Sequence, residues 1–176
     1  QAPEAYVDVQ NTETLLMRME LAGVEVGDRG SGLVPLAESR LEDHTSPFTS
    51  IHALIILAKS GMLEKARTMI RNMLAYTDLD QGPIGNTYRQ VVVPAAEAVL
   101  AFVEDQPKQV LERLMPIRFL LYRMGGSHAQ RDLFWQMMTR TALQLEDRTL
   151  LGQLHSEIRD FGFSKMEHRR AYAGVF

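Results

Sequence analysis

His128, Arg131 and Asp132 lie within five consecutive residues at the start of a predicted helix. Their types and spacing are the best suited in the chain to chemistry. His128 and Asp132 are four apart and share a helix face, so the carboxylate can fix the imidazole tautomer as in an acid–base pair. The helix dipole works against this, because it opposes a charged histidine at the N-terminus and favours Asp132 there on structural grounds alone. Arg131, beside free helix N–H groups, is suited to holding a carboxylate or phosphate. A structural network, a ligand contact and catalysis all remain open for this cluster, with the structural network carrying most weight. No reaction is specified by these residues.

The surrounding turn, Gly125-Gly126-Ser127-His128-Ala129-Gln130-Arg131-Asp132, has a plain local logic. A glycine supplies the left-handed residue that ends the preceding helix. Ser127 is an N-cap, and Gln130 three residues later completes a capping box.

Other side chains are weaker candidates. His52 sits on a strongly apolar helix, where a lone histidine is expected to be a satisfied, partly buried residue. Arg18 and Glu20 share the first helix, and Glu20 is expected to pair with a basic residue across the core. Asn11 is read as an N-cap. His44, after Glu42-Asp43, is expected in a solvated loop. His52, His128, His155 and His168 lack a second ligand at the paired spacing of zinc helices, so no metal site is expected. No phosphate-cradling glycine loop and no nucleophile elbow occurs, so no cofactor is expected.

What must position these residues is helical. The chain of 176 residues fits one domain able to bury a core, and 45% hydrophobic residues place it among globular proteins. With 19 basic and 22 acidic residues the net charge is −3, which gives no broad basic field for nucleic acid. No cysteine is present, which removes disulfides and thiolate metal sites. No apolar run approaches the ~20 residues that span a bilayer. Neither nucleic acid nor membrane is therefore expected as a partner, and a soluble, cytoplasmic protein is. No signal peptide and no initiator methionine are visible, so a piece of a longer polypeptide is expected.

Helices are expected at about 10–23, 33–41, 47–60, 63–77, 87–104, 107–123, 128–146 and 148–161, with a basic, aromatic tail over 162–176. In the first, Leu15, Leu16 and Met19 mark the apolar spacing. Ser46-Pro47 opens the third as N-cap and first-turn proline. Pro94 either bends or starts the fifth. The ten methionines are mostly core filler, and Trp135 is expected half-buried at a helix seam.

The helices pair. Gly61-Met62-Leu63-Glu64-Lys65-Ala66 matches the inter-helix turn of a tetratricopeptide repeat, with a helix-ending glycine and a close-packing alanine five residues on. Asp105 with Val110, and Glu146 with Leu151, stand at the same offset. The steps from 66 to 110 and from 110 to 151 exceed the ~34 residues of a regular repeat. The expected fold class is thus all-α: a TPR-like right-handed superhelix of stacked hairpins, forming one domain over 1–176.

Residues 6–23, the Val26-Gly27-Asp28-Arg29 that follows, and Gly125 to Asp132 resemble the C-terminal part of the tetratricopeptide repeat protein 38-like family. The resemblance spans about 6–161, and its specific part is the glycine–serine–histidine motif. Gly30 stands where the family carries tryptophan. The resemblance implies a helical-repeat scaffold with no assigned activity, and matched polar positions at Asn11, Arg18, Glu20, Arg29, His52, Ser127, His128, Gln130, Arg131 and Asp132. These are expected to converge on one polar pocket.

Two functions follow as expectations. The first is an interaction scaffold for a protein or peptide partner. The alternative is a small-molecule or anion-binding pocket, with catalysis left open, built from His128, Arg131, Asp132, His52 and Arg18, with Glu20 and Asn11 nearby. A homodimer through exposed end helices is a third, weaker expectation.

Overall fold

The computed structural model describes residues 6–160, and all regular structure among them is helical. The elements are α1 (Tyr6–Leu21), α2 (Val34–Glu38), α3 (Pro47–Lys59), α4 (Leu63–Leu79), α5 (Pro83–Thr87), α6 (Val93–Val103), α7 (Pro107–Leu114), α8 (His128–Gln144) and α9 (Arg148–Asp160). The tail over 162–176 lies outside the described residues. None of the described helices is long and apolar enough to cross a membrane.

Three hairpins carry the fold: α3 with α4, α6 with α7, and α8 with α9. Their turns share one geometry. Gly61, Asp105 and Glu146 each take the left-handed conformation, with φ of 76°, 55° and 55°. After each, an amide bonds back to a carbonyl five residues earlier: Met62 to Leu57 at 2.9 Å, Gln106 to Ala101 at 2.8 Å, Asp147 to Ala142 at 3.0 Å. This is the Schellman arrangement, which satisfies carbonyls that the helix end leaves free. Five residues past each left-handed residue, Ala66, Val110 and Leu151 are buried. The offset read from sequence therefore marks equivalent places in three consecutive hairpins.

α3 is the most deeply buried of these helices. Ser46 accepts the Thr49 amide at its N-cap, and Pro47 follows at the first turn. Ile51, Leu54, Ile55, Leu57 and Ala58 have no exposed surface, because α1, α2, α4 and α6 surround the helix. α1 closes the assembly by packing on both α3 and α8, so α3, α6, α7, α8 and α1 contact one another in a cycle. One apolar cluster runs through these helices, α4 and α9.

Two prolines reshape expected helices. Pro94 has no N–H to offer Gln90. The chain answers with a wider π turn over Tyr88–Val92, in which the Val93 amide bonds Tyr88, and the helical path continues from α5 into α6. The helix expected over 107–123 stops at Leu114. Pro116 removes the bond to Glu112, and the segment proceeds as 3₁₀ turns at Met115–Ile117 and Leu121–Met124. In α1 the inward face also differs from the expected one: Leu15 is exposed, while Met17 and Leu21 are buried.

Candidate functional site

α1 meets its neighbours through a seam of polar pairs. Gln10 donates to Thr49 Oγ1 at 3.0 Å. Gln130 donates to Asn11 Oδ1 at 3.0 Å. Arg18 lies 3.8 Å from Asp132, and Glu20 lies 2.6 Å from Lys59 Nζ. Deepest of all, His52 Nδ1 sits 2.5 Å from Glu13 Oε2, with both side chains almost wholly buried. Of the residues singled out from sequence, Asn11, Arg18, Glu20, His52 and Asp132 thus meet along α1 as joints to α3 and α8, whereas His128 and Arg131 stay at the turn before α8, and the set does not form one pocket. Glu20 has the basic partner expected of it, and His52 is satisfied as expected. Asn11 lies inside α1 rather than capping it.

The glycine–serine–histidine turn is built as its sequence suggests. Ser127 Oγ accepts the Gln130 amide while the Gln130 side chain accepts the Ser127 amide. Arg131 turns back and donates to the carbonyls of Gly125 and Gly126, so its guanidinium stabilises the turn. Asp132 is buried and accepts from Gln136 Nε2 at 2.7 Å. His128 is exposed at the first position of α8. His44 lies in a loop whose Glu42 and Thr45 are exposed, but its own ring turns inward, 4.8 Å from Tyr76 and 5.6 Å from Tyr88, and burial pushes its pKa down. Trp135 is buried rather than half-buried.

Glu13 is the residue that sequence reasoning missed. It belongs to an α1 stripe running Gln10, Glu13, Thr14, Met17 and Leu21, all buried. The spacing is helical, but three of these five are polar, so no apolar stripe marks this face in the sequence. Thr14 Oγ1 also reaches His52 Nδ1, at 3.4 Å. The Phe48 ring stands edge-on to the imidazole, with centroids 4.3 Å apart.

A cavity of about 260 Å³ opens beside this pair. From α1 it is walled by Glu13, Leu16, Met17 and Glu20, and from α3 by Ile56 and Lys59. The loop after α1 closes it with Val26, Asp28 and Gly30, followed by Ser31 and Leu33. That loop is pinned rather than loose. Arg29 donates to the Val26 carbonyl at 3.0 Å, and the Ser31 amide to Asp28 at 2.8 Å. A smaller hollow of about 70 Å³ lies on the other side, lined by His52, Gln10, Thr49 and Arg40. The Glu13–His52 contact stands between the two. Arg18, His128, Arg131 and Asp132 line neither.

Glu13, one of the residues lining the cavity, is a buried carboxyl. Glu13 Oε2 is held by His52, while Oε1 is fully buried and has no hydrogen-bond partner. Burial pushes the Glu13 carboxyl above its ordinary value. The hydrogen bond and charge of His52 and the hydrogen bond of Thr14 oppose this, and the charge of Glu20 adds to it. The 2.5 Å contact between carboxyl and imidazole is a hydrogen bond in which either group can hold the proton. An oxygen such as Oε1 costs about 1–3 kcal/mol when nothing bonds to it.

No family model and no solved structure matches this chain. Among the described residues no group of three or more His, Asp or Glu side chains is placed to hold a metal ion.

Proposed function

We propose that this chain is a helical-repeat domain that binds a small molecule in the cavity between α1, α3 and the loop after α1. The observation that carries this reading is the cavity itself, a largely apolar hollow with the carboxyl-bearing residues Glu13, Glu20 and Asp28 among those that line it. The cavity approaches the ~300 Å³ at which ligand clefts begin. A few placed polar groups in an apolar concavity are the usual composition of such sites.

The test is a fragment screen by ligand-observed NMR on the full chain, repeated on Gly30→Leu. Gly30 lines the cavity with a helical backbone, and a Cβ there would start 3.8 Å from Leu16 Cδ1. A leucine side chain fills the space without strain at the backbone. Hits that vanish with the variant support the reading. A screen whose hits all persist in the variant removes it.

A scaffold for a protein or peptide partner is the second reading. It is favoured by Leu74, Leu79 and Ile84, which are exposed around the end of α4 and the start of α5. The repeated turn at Gly61, Asp105 and Glu146 supports TPR-like stacking and kinship with the tetratricopeptide repeat protein 38-like family. A cytoplasmic setting belongs to the same reading.

A further inference from the structure

We propose that residues 25–31 form a lid over this cavity, latched by Val26, which lifts on the chain around Gly23 and Gly32 to let a small molecule in. The lid as a gate rests on the cavity being a ligand site and adds how that site is entered.

Three observations set this segment apart from the helices beneath it. First, its bonds are its own. Among the described residues, every hydrogen bond made by residues 25–30 ends within residues 25–33. Arg29 donates to the carbonyls of Glu25 and Val26, the Ser31 amide to Asp28 and the Leu33 amide to Gly30. The segment is therefore tied into one piece, and its base is joined to α1 through the Val24 amide, 2.9 Å from the Met19 carbonyl. Second, Val26 is the only buried side chain between residues 22 and 36, at 6% exposure, while Glu25, Gly27, Asp28 and Arg29 around it are exposed. One valine thus holds the segment down, and segments held by few buried apolar contacts open locally without the rest of the fold. Third, the chain has room to turn at both ends. Gly23 has φ of 80°, and a Cβ at Gly23 or Gly32 would meet nothing within 4 Å. A few such positions beside a moving loop absorb its change in backbone angles. Val26 also lines the cavity, whose closed volume of about 260 Å³ lies below the ~300 Å³ at which ligand clefts begin, so lifting the latch adds the missing room.

The chain has no cysteine, so a single introduced thiol reports on its own position. Val26→Cys carries the thiol on the latch, and Ile55→Cys carries it in α3, where only wider unfolding releases it. With N-ethylmaleimide on the full chain, Val26→Cys is expected to react at least about a hundredfold faster than Ile55→Cys, at a rate nearly independent of low urea. Methyl relaxation dispersion reads the same motion without a substitution, and Val26 should show exchange where Leu54 and Ile55 show none. A fragment hit that is lost in Gly30→Leu, added at about ten times its Kd, should slow the labelling of Val26→Cys about tenfold, because it holds the lid down. Equal labelling rates with one urea slope, or dispersion profiles alike at Val26 and Leu54, overturn the lid and leave the cavity to its fragment screen. Labelling of Val26→Cys that ignores such a hit overturns the lid as the way in. Fragment hits that all persist in Gly30→Leu remove the ligand site itself, whatever the labelling shows. Circular dichroism on both cysteine variants separates these outcomes from loss of the fold.

Discussion

Gly126 closes against Phe48 so tightly that a methyl group on its α-carbon would overlap the aromatic ring, with two further ring carbons at 2.8 Å. The same Phe48 ring abuts His52, which holds Glu13. The glycine–serine–histidine turn therefore supports the buried pair from behind, although its own polar side chains do not reach the cavity. Gly126 also has φ of 75°, a conformation costly for any residue with a Cβ.

Gly126→Ala combines both penalties and should destabilise the fold by about 2–4 kcal/mol in urea titrations. Shrinking the neighbour in Gly126→Ala/Phe48→Leu should recover part of that loss. Recovery of nothing would mean that backbone strain alone is at work.

Breaking the Glu13–His52 pair from one side should cost more than removing it altogether. His52→Leu strands a buried carboxyl and should lose about 3 kcal/mol. Glu13→Met/His52→Leu replaces the pair with apolar volume and should stand near the parent or above it. Additive single and double losses in the cycle would contradict a direct coupling.

Stability should fall as pH rises on account of Glu13. Its folded pKa is raised, so its contribution is fully present below the ordinary glutamate value of 4.5 and is lost as pH climbs through the folded value. Glu157 acts in the opposite sense. Arg118 grips both its oxygens, at 2.8 and 3.0 Å, and lowers its pKa. Its contribution is present above 4.5 and disappears as pH falls through the lower folded value. Unfolding free energies between pH 3 and 8 (a range set by ~4.3 for free glutamate) should show Glu13→Gln gaining on the parent as pH increases, and Glu157→Gln gaining as pH decreases. Parallel curves would remove both assignments.

Glu146 is a strained counterpart of Gly61. It makes no side-chain hydrogen bond among those described, whereas Asp105 accepts from Gln144 Nε2 at 2.6 Å. Glu146→Gly should therefore stabilise the protein by about 0.5–1 kcal/mol, read as a higher thermal midpoint. Asp105→Gly should gain less, since it forfeits that bond.

Helix boundaries and turns were legible because they are local. Ser46-Pro47, the Ser127–Gln130 capping box and the shared offset at Gly61, Asp105 and Glu146 are each written within six residues. The polar site was not legible because its partners are remote. Glu13 and His52 are 39 residues apart, and Asn11 and Gln130 are 119 apart. Arg131 shows the limit of a local reading. Free amides beside a guanidinium suggest an anion, yet the side chain turns back to the carbonyls of Gly125 and Gly126. In α1 the leucines drew attention to the wrong face, because packing there is decided by a polar stripe that finds its bonds on α3 and α8. Pro116 was a readable breaker that the apolar spacing around it concealed.

The account stands on the cavity between α1, α3 and the following loop holding a small molecule. The most direct measurement is a methyl-labelled NMR titration with a hit from the fragment screen. Met17, Leu33 and Ile56 line the cavity, whereas Leu114 and Leu133 lie in the core outside its wall. Saturable shifts confined to the first group, absent in Gly30→Leu, are the predicted result. Shifts spread evenly over both groups, or centred on Leu74, Leu79 and Ile84, would contradict it.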